Sequence, residues 1–178
     1  MANTSPANEK QSAIVLRDVR KHYGAVHAVD GVDLKIPQGQ VFGLIGHNGA
    51  GKSTLFKMML GLERPTSGHI TVAGADVAGP NFRAARRKLG YLPENVVLYD
   101  NLSGLETLNF FARLKGASLQ ECPSLLDKVG LSHAGKRAVR EYSKGMRQRL
   151  GFAQALLGKP EVLFLDEPLA FFDPERSL

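Results

Sequence analysis

Gly46-His47-Asn48-Gly49-Ala50-Gly51-Lys52-Ser53-Thr54 is the stretch on which the fold turns. Its spacing satisfies G-x-x-x-x-G-K-[ST], the pattern of a phosphate-binding loop. The residues before it, Val41-Phe42-Gly43-Leu44-Ile45, make a short apolar run that reads as a buried strand. Those after it, Thr54-Leu55-Phe56-Lys57-Met58-Met59-Leu60, form helix readily and stop at Gly61, a residue suited to a left-handed cap. Glycines let backbone N–H groups close around an anion, and the helix that follows aims its positive end at the same point. In such a loop Lys52 reaches the β- and γ-phosphates, and the Ser53 hydroxyl takes one place on Mg²⁺. With strand and helix flanks in place, the stretch implies a nucleoside triphosphate ligand rather than a chance glycine-rich turn.

A second stretch carries the metal and the water. Glu161-Val162-Leu163-Phe164-Leu165-Asp166-Glu167 is an apolar strand ending in two carboxylates. Such a run reads as buried on both faces, as in a parallel sheet. Carboxylates at its carboxyl end emerge where open α/β sheets bind ligands. Asp166 is placed to hold Mg²⁺, and Glu167 to polarise an attacking water.

Between the two lies Glu141-Tyr142-Ser143-Lys144-Gly145-Met146-Arg147-Gln148-Arg149-Leu150. Ser143 is a natural N-cap for a helix over about residues 145–157, closed by Gly158. In order and spacing this segment resembles a variant of the signature sequence of ATP-binding cassette (ABC) ATPases, usually Leu-Ser-Gly-Gly-Gln. The resemblance spans about residues 14–174. It implies a P-loop NTPase core of α/β class, with an N-terminal antiparallel β subdomain and a helical subdomain at about residues 95–142. It also implies ATP and Mg²⁺ as ligands, Ser143 and Gly145 acting on the γ-phosphate held by a second subunit of a homodimer, and an integral membrane permease as further partner. Tyr23 stands where the family stacks an aromatic ring on adenine. Leu89-Gly90-Tyr91-Leu92-Pro93-Glu94 matches the Q-loop, with Glu94 in place of the usual glutamine; an acid accepts contacts but does not donate as an amide does. Strings such as Tyr91-Leu92-Pro93-Glu94-Asn95-Val96 and Phe111-Ala112-Arg113-Leu114-Lys115-Gly116-Ala117 look like the NosF type, the ATPase of the transporter serving copper-site maturation in nitrous oxide reductase.

The composition agrees with a peripheral subunit at the cytoplasmic face of the inner membrane. The chain has 178 residues, enough for one domain with a core, and a formal net charge of +6. Its single cysteine, Cys122, excludes an internal disulfide framework. No apolar stretch approaches the roughly 18–20 residues that span a bilayer, so a pore would belong to another polypeptide. The basic clusters, Arg83 to Lys88 and Lys136 to Arg149, read as solvated helix faces, and no nucleic-acid partner is expected. The five histidines show no metal-ligand spacing, and copper is not expected to bind here.

Residues 1–12 read as a disordered tail and 13–178 as the ATPase domain. Residues 14–36 and 69–74 carry strand patterns, and Ser103-Gly104-Leu105-Glu106 is a capping box opening a helix that Gly116 stops. The absence of heptads separates the helical part from coiled-coil relatives that handle chromosomes. Near the end, Phe171 departs from the small residue that the family places in its D-loop. The family's following strands and switch-loop histidine have no counterpart, so the sequence alone suggests a chain incomplete at its C-terminus. The alternative is then a truncated product that binds nucleotide, or a partner, without catalysis.

Overall fold

Alternation writes the first strand. In the computed structural model, which describes residues 12–47 and 49–166, Ser12, Ile14 and Leu16 turn inward from β1 (Ser12–Tyr23) while Val15 is only half-buried. A tight turn at Gly24 and Ala25 returns the chain as β2 (Val26–Pro37), antiparallel to β1. Ser12, assigned to the tail by the sequence, instead opens β1 opposite Pro37. After α1 (Lys52–Met59) come β3 (Ser67–Val72) and the two-residue β4 (Ala75–Asp76). The sheet order is β2-β1-β3-β4, antiparallel throughout. Its ladder is interrupted at Asp18, whose φ of 44° marks a bulge. A Cβ on Gly68 would lie 2.3 Å from the Asp18 carbonyl oxygen, so glycine is required opposite the bulge.

Helix α1 buries Leu55, Met58 and Met59, a spacing that puts all three on one face, and packs on β3 and β2. Leu16, Val19, Ile70 and Val72 complete this core. The short α2 (Phe82–Ala85) follows, and with it ends the first of two compact units, Met1–Arg86.

The second unit, Arg87–Leu178, begins with β5 (Leu89–Leu92). Three helices follow: α3 (Gly104–Lys115), α4 (Cys122–Lys128) and α5 (Lys144–Leu156). They enclose a core that includes Leu108, Cys122, Leu126, Leu131, Val139 and Leu150. The capping box at α3 is present in both directions: Glu106 N–H donates to Ser103 Oγ at 3.3 Å, and Ser103 N–H donates to Glu106 Oε2 at 2.8 Å. Gly116, at φ 73°, closes the helix. Strand β6 (Val162–Leu165) then pairs in parallel with β5, Leu89 opposite Val162 and Leu92 opposite Leu165.

Two expectations are corrected. Residues 41–45 form no strand among the described residues, and Val41 and Ile45 are almost fully exposed. An apolar run supplies β propensity, but a strand exists only through a partner's backbone, which local sequence does not encode. In β6 only Phe164 is buried rather than the whole strand. Burial on both faces needs neighbours on both sides of the sheet and both edges, and β6 pairs with β5 alone among the described residues.

Candidate functional site

The phosphate-loop residues belong to the first unit. Gly51 adopts the left-handed conformation, φ 80°, and opens α1 with no side-chain cap. A Cβ there would lie 2.2 Å from the Ala28 carbonyl oxygen and 3.2 Å from Val29, so β2 presses the loop backbone at a point only glycine can occupy. Leu55 N–H donates to the Gly51 carbonyl at 2.9 Å, closing the first turn. The N–H groups before it have no intrahelical acceptor, and no acidic side chain lies in that turn. The result is a positive helix terminus facing a loop.

Lys52 turns back over this loop. Its Nζ donates to the Gly46 carbonyl at 2.5 Å and to the His47 carbonyl at 2.9 Å. Ala50 N–H donates to the same His47 carbonyl at 3.2 Å, a turn that lets the chain double back. Gly46, His47, Gly49 and Ala50 are exposed, as is Ser53, while Thr54 is half-buried. Asn48 lies outside the described residues.

Tyr23 ends β1 about half exposed. Its hydroxyl donates to Glu63 Oε1 at 2.5 Å, and Lys21 Nζ sits 3.1 Å from the same oxygen and 5.0 Å from the ring centre. The Glu63 carboxylate, by accepting that bond, raises the Tyr23 pKa, and the Thr54 hydroxyl acts in the opposite sense. Glu63 in turn is held below the usual carboxylate range, first by Tyr23 and then by Lys21. Sequence reasoning missed Glu63; forty residues separate it from Tyr23, and nothing local marks it.

In the second unit, the parallel register brings two predicted carboxylates to one end of the β5–β6 pair. Asp166 follows β6 directly, and its N–H donates to the Leu92 carbonyl at 2.9 Å. Glu94 follows β5 by two residues and is exposed. This is the carboxyl end, where α/β sheets place their ligands. The Tyr91 hydroxyl has its pKa raised by burial and then by the charge of Asp166. Glu167 lies outside the described residues.

Ser143 caps α5, as expected: its Oγ accepts from Met146 N–H at 3.2 Å. Gly145, two residues on, is exposed, and a Cβ added there meets nothing within 4 Å. Arg147 on the same turn donates to Asp100 Oδ1 at 2.6 Å. Among the described residues, no helix is long and apolar enough to cross a membrane.

Residues 29–170 match the family model described as ABC transporter. A Nostoc protein called an uncharacterized ABC transporter ATP-binding protein is 43% identical over 176 residues, 92% of this chain and 52% of that protein. A daunorubicin resistance ATP-binding protein of Streptomyces coeruleorubidus is 40% identical over 167 residues, with the same coverage of 92% and 52%. The chain thus spans about half the length of these curated relatives. A solved structure titled as the ATP binding subunit of an ABC transporter superposes with a TM-score of 0.81 at 34% identity, covering 91% of this chain and 69% of that one. The expected α/β class, a P-loop NTPase of the ABC ATPase type, is the fold observed. From loop, fold and relatives together, this chain belongs to the ATP-binding subunits of the ABC transporter family.

Proposed function

We propose that the chain binds MgATP at residues 46–54 and, in the whole subunit, hydrolyses it as a homodimer that drives a membrane permease. The observation that carries this reading is the uncapped, left-handed entry to α1 at Gly51, with Lys52 turned over the loop. Backbone N–H groups of the loop and first turn cradle the phosphates, and Lys52 exchanges its carbonyl contacts for β- and γ-phosphate oxygens. Tyr23, steadied by Glu63, offers its ring to adenine. The Ser53 hydroxyl in the first unit and the Asp166 carboxylate in the second are each hard oxygen donors of the kind Mg²⁺ prefers, and each is assigned to the metal. When bound, Mg²⁺ screens the phosphate charge. Glu167 polarises the attacking water, and Glu94 accepts a hydrogen bond from that water or from the metal's water shell.

Ser143 and Gly145 act across the dimer. Among the described residues, nothing gives Gly145 a steric reason to be glycine, which supports an external group approaching the first turn of α5. Placement is peripheral, at the cytoplasmic face of the membrane that holds the permease. For cargo, the relative named for daunorubicin resistance favours export of a drug-like molecule. The NosF-like strings are the support for copper-site maturation, and neither curated relative reported above is named for copper.

Calorimetry on Lys52→Ala tests the site. Loss of a charge-assisted contact, about 1.5–3 kcal/mol, should weaken MgATP by roughly 10–100-fold with the fold unchanged. Equal affinity in both proteins would remove the loop from the site. Sharing between subunits is tested by mixing Lys52 and Ser143 variants of the whole subunit: mixed dimers should keep one working site and partial activity.

A further inference from the structure

We propose that the β1–β2 hairpin carries a site for a divalent transition metal ion, held by His22, His27 and Asp30. The hairpin register sets His22 directly opposite His27. Their rings stack with centroids 3.9 Å apart and planes 15° from parallel. Asp30, three residues further along β2, presents Oδ1 3.9 Å from His22 Nε2 and Oδ2 3.8 Å from His27 Nδ1. One ligand atom from each residue lies within 4.8 Å of the others.

These separations are too long for hydrogen bonds, whose heavy atoms sit about 2.7–3.2 Å apart. They suit two ligands of one ion better. Donors about 2.0–2.2 Å from a tetrahedral centre stand roughly 3.3–3.6 Å from one another. An imidazole binds a metal in its ring plane, so the two rings must also turn out of their face-to-face stack to share one ion. His22 Nε2 gives a second, independent sign. The atom is buried and has no hydrogen-bond partner, a state that costs free energy unless a ligand completes it. Two imidazoles and one carboxylate select Zn²⁺ and its neighbours over Mg²⁺, which takes oxygen. His27 and Asp30 are more than half exposed, leaving a path for the ion and room for water as a fourth ligand. Arg20 Nη1, 3.5 Å from Asp30 Oδ1, is the opposing charge; its other contact, to Asp18 Oδ1 at 2.8 Å, holds it when the carboxylate turns to the ion.

The sequence reading found no metal spacing among the histidines. Positions 22 and 27 become neighbours only because the turn at Gly24 and Ala25 folds one strand onto the other.

The test is Zn²⁺ titration by calorimetry on the whole chain in excess Mg²⁺, which occupies any nucleotide-type metal site. Visible absorption of bound Co²⁺ reports imidazole ligation separately. One ion per chain is expected, with affinity falling at least about tenfold in each of His22→Ala, His27→Ala and Asp30→Asn. His133→Ala, an exposed histidine of the other unit, should bind as wild type does. Because His27 and Asp30 are more than half exposed and His22 is outside the buried core, circular dichroism should show each variant folded. No binding by the wild-type chain, or binding retained in both histidine variants, overturns the site, as does equal loss in His133→Ala.

Discussion

Helices α1 and α5 both start with a positive end directed at an expected phosphate, yet the chain finishes the two ends differently. At α1 the entry residue is Gly51, left-handed, wedged against the Ala28 carbonyl, with no side chain capping the turn. At α5 the entry is Ser143, extended, and its own hydroxyl already accepts Met146 N–H. The first end is sterically determined from within and electrically unfinished. The second is electrically satisfied from within, and its neighbour Gly145 is sterically undetermined. Local packing therefore accounts for the glycine at α1 but not for the one at α5. A glycine that no described neighbour requires is the one the proposed reading assigns to a group outside the chain.

The sharpest way to break this contrast is to add the same methyl group at both glycines. Gly51→Ala forces a left-handed alanine and a 2.2 Å approach to Ala28. Left-handed strain of about 1–2 kcal/mol and overpacking of about 1–3 kcal/mol together predict a loss of roughly 2–5 kcal/mol in denaturant unfolding. MgATP affinity should fall with it. A Gly51→Ala protein as stable as wild type would show that β2 does not press on the loop.

Next in size is the cap. Ser143→Ala should cost about 1 kcal/mol in thermal or urea unfolding, and Ser143→Gly only a few tenths. If the hydroxyl serves only α5, hydrolysis in the whole subunit should follow stability, with Gly close to wild type. If it serves a partner's phosphate, both variants should lose about 10²-fold in rate. The second outcome is expected. Gly145→Ala then separates fold from function more cleanly. Alanine in the first turn of α5 should leave stability unchanged or raise it by up to about 1 kcal/mol. On the proposed shared-site reading, hydrolysis in the dimer should nonetheless fall, because that reading places the other subunit's nucleotide at this methyl group. Full activity in Gly145→Ala would remove the reason for assigning that glycine to a partner.

What could be read from the sequence follows the range of the interactions involved. The phosphate loop, the Ser143 cap, the Ser103–Glu106 box and the glycine stops at 61 and 116 are written within three or four residues of the atoms they satisfy. The structure shows these caps and stops at the expected places. The failures are non-local. Residues 41–45 carry strand composition, but composition names no partner, and the run stays unpaired among the described residues. β6 looked buried because its residues are apolar, while burial depends on how many neighbours the sheet supplies. Glu63 reaches Tyr23 across forty residues, and His22 meets His27 through a hairpin. In the candidate site, the residue types were legible and their supporting partners were not.

A third helix start provides the control for the other two. Helix α3 is closed on both counts: Ser103 accepts Glu106 N–H, and the Glu106 carboxylate accepts Ser103 N–H at 2.8 Å and the Ser103 hydroxyl at 2.7 Å. No ligand role is assigned to it, so its energetics should be those of the fold alone. The bond from the Ser103 backbone, then that from its hydroxyl, lowers the Glu106 pKa below its ordinary value of 4.5. The sign follows from linkage. A carboxyl whose pKa is depressed on folding adds stability above its unfolded pKa and loses that stability as pH falls through the depressed folded value. Glu106→Gln should therefore destabilise the chain slightly at neutral pH, and the gap to wild type should close in acid. MgATP affinity should be the same in both proteins at every pH where they are folded. The effect is the smallest of those considered because Glu106 is fully solvated and screened. Urea unfolding of the two proteins across the acid limb measures it. A gap that widens toward low pH would mean that the carboxylate is not the stabilising form, and a change in nucleotide affinity would mean that a satisfied helix start is not inert.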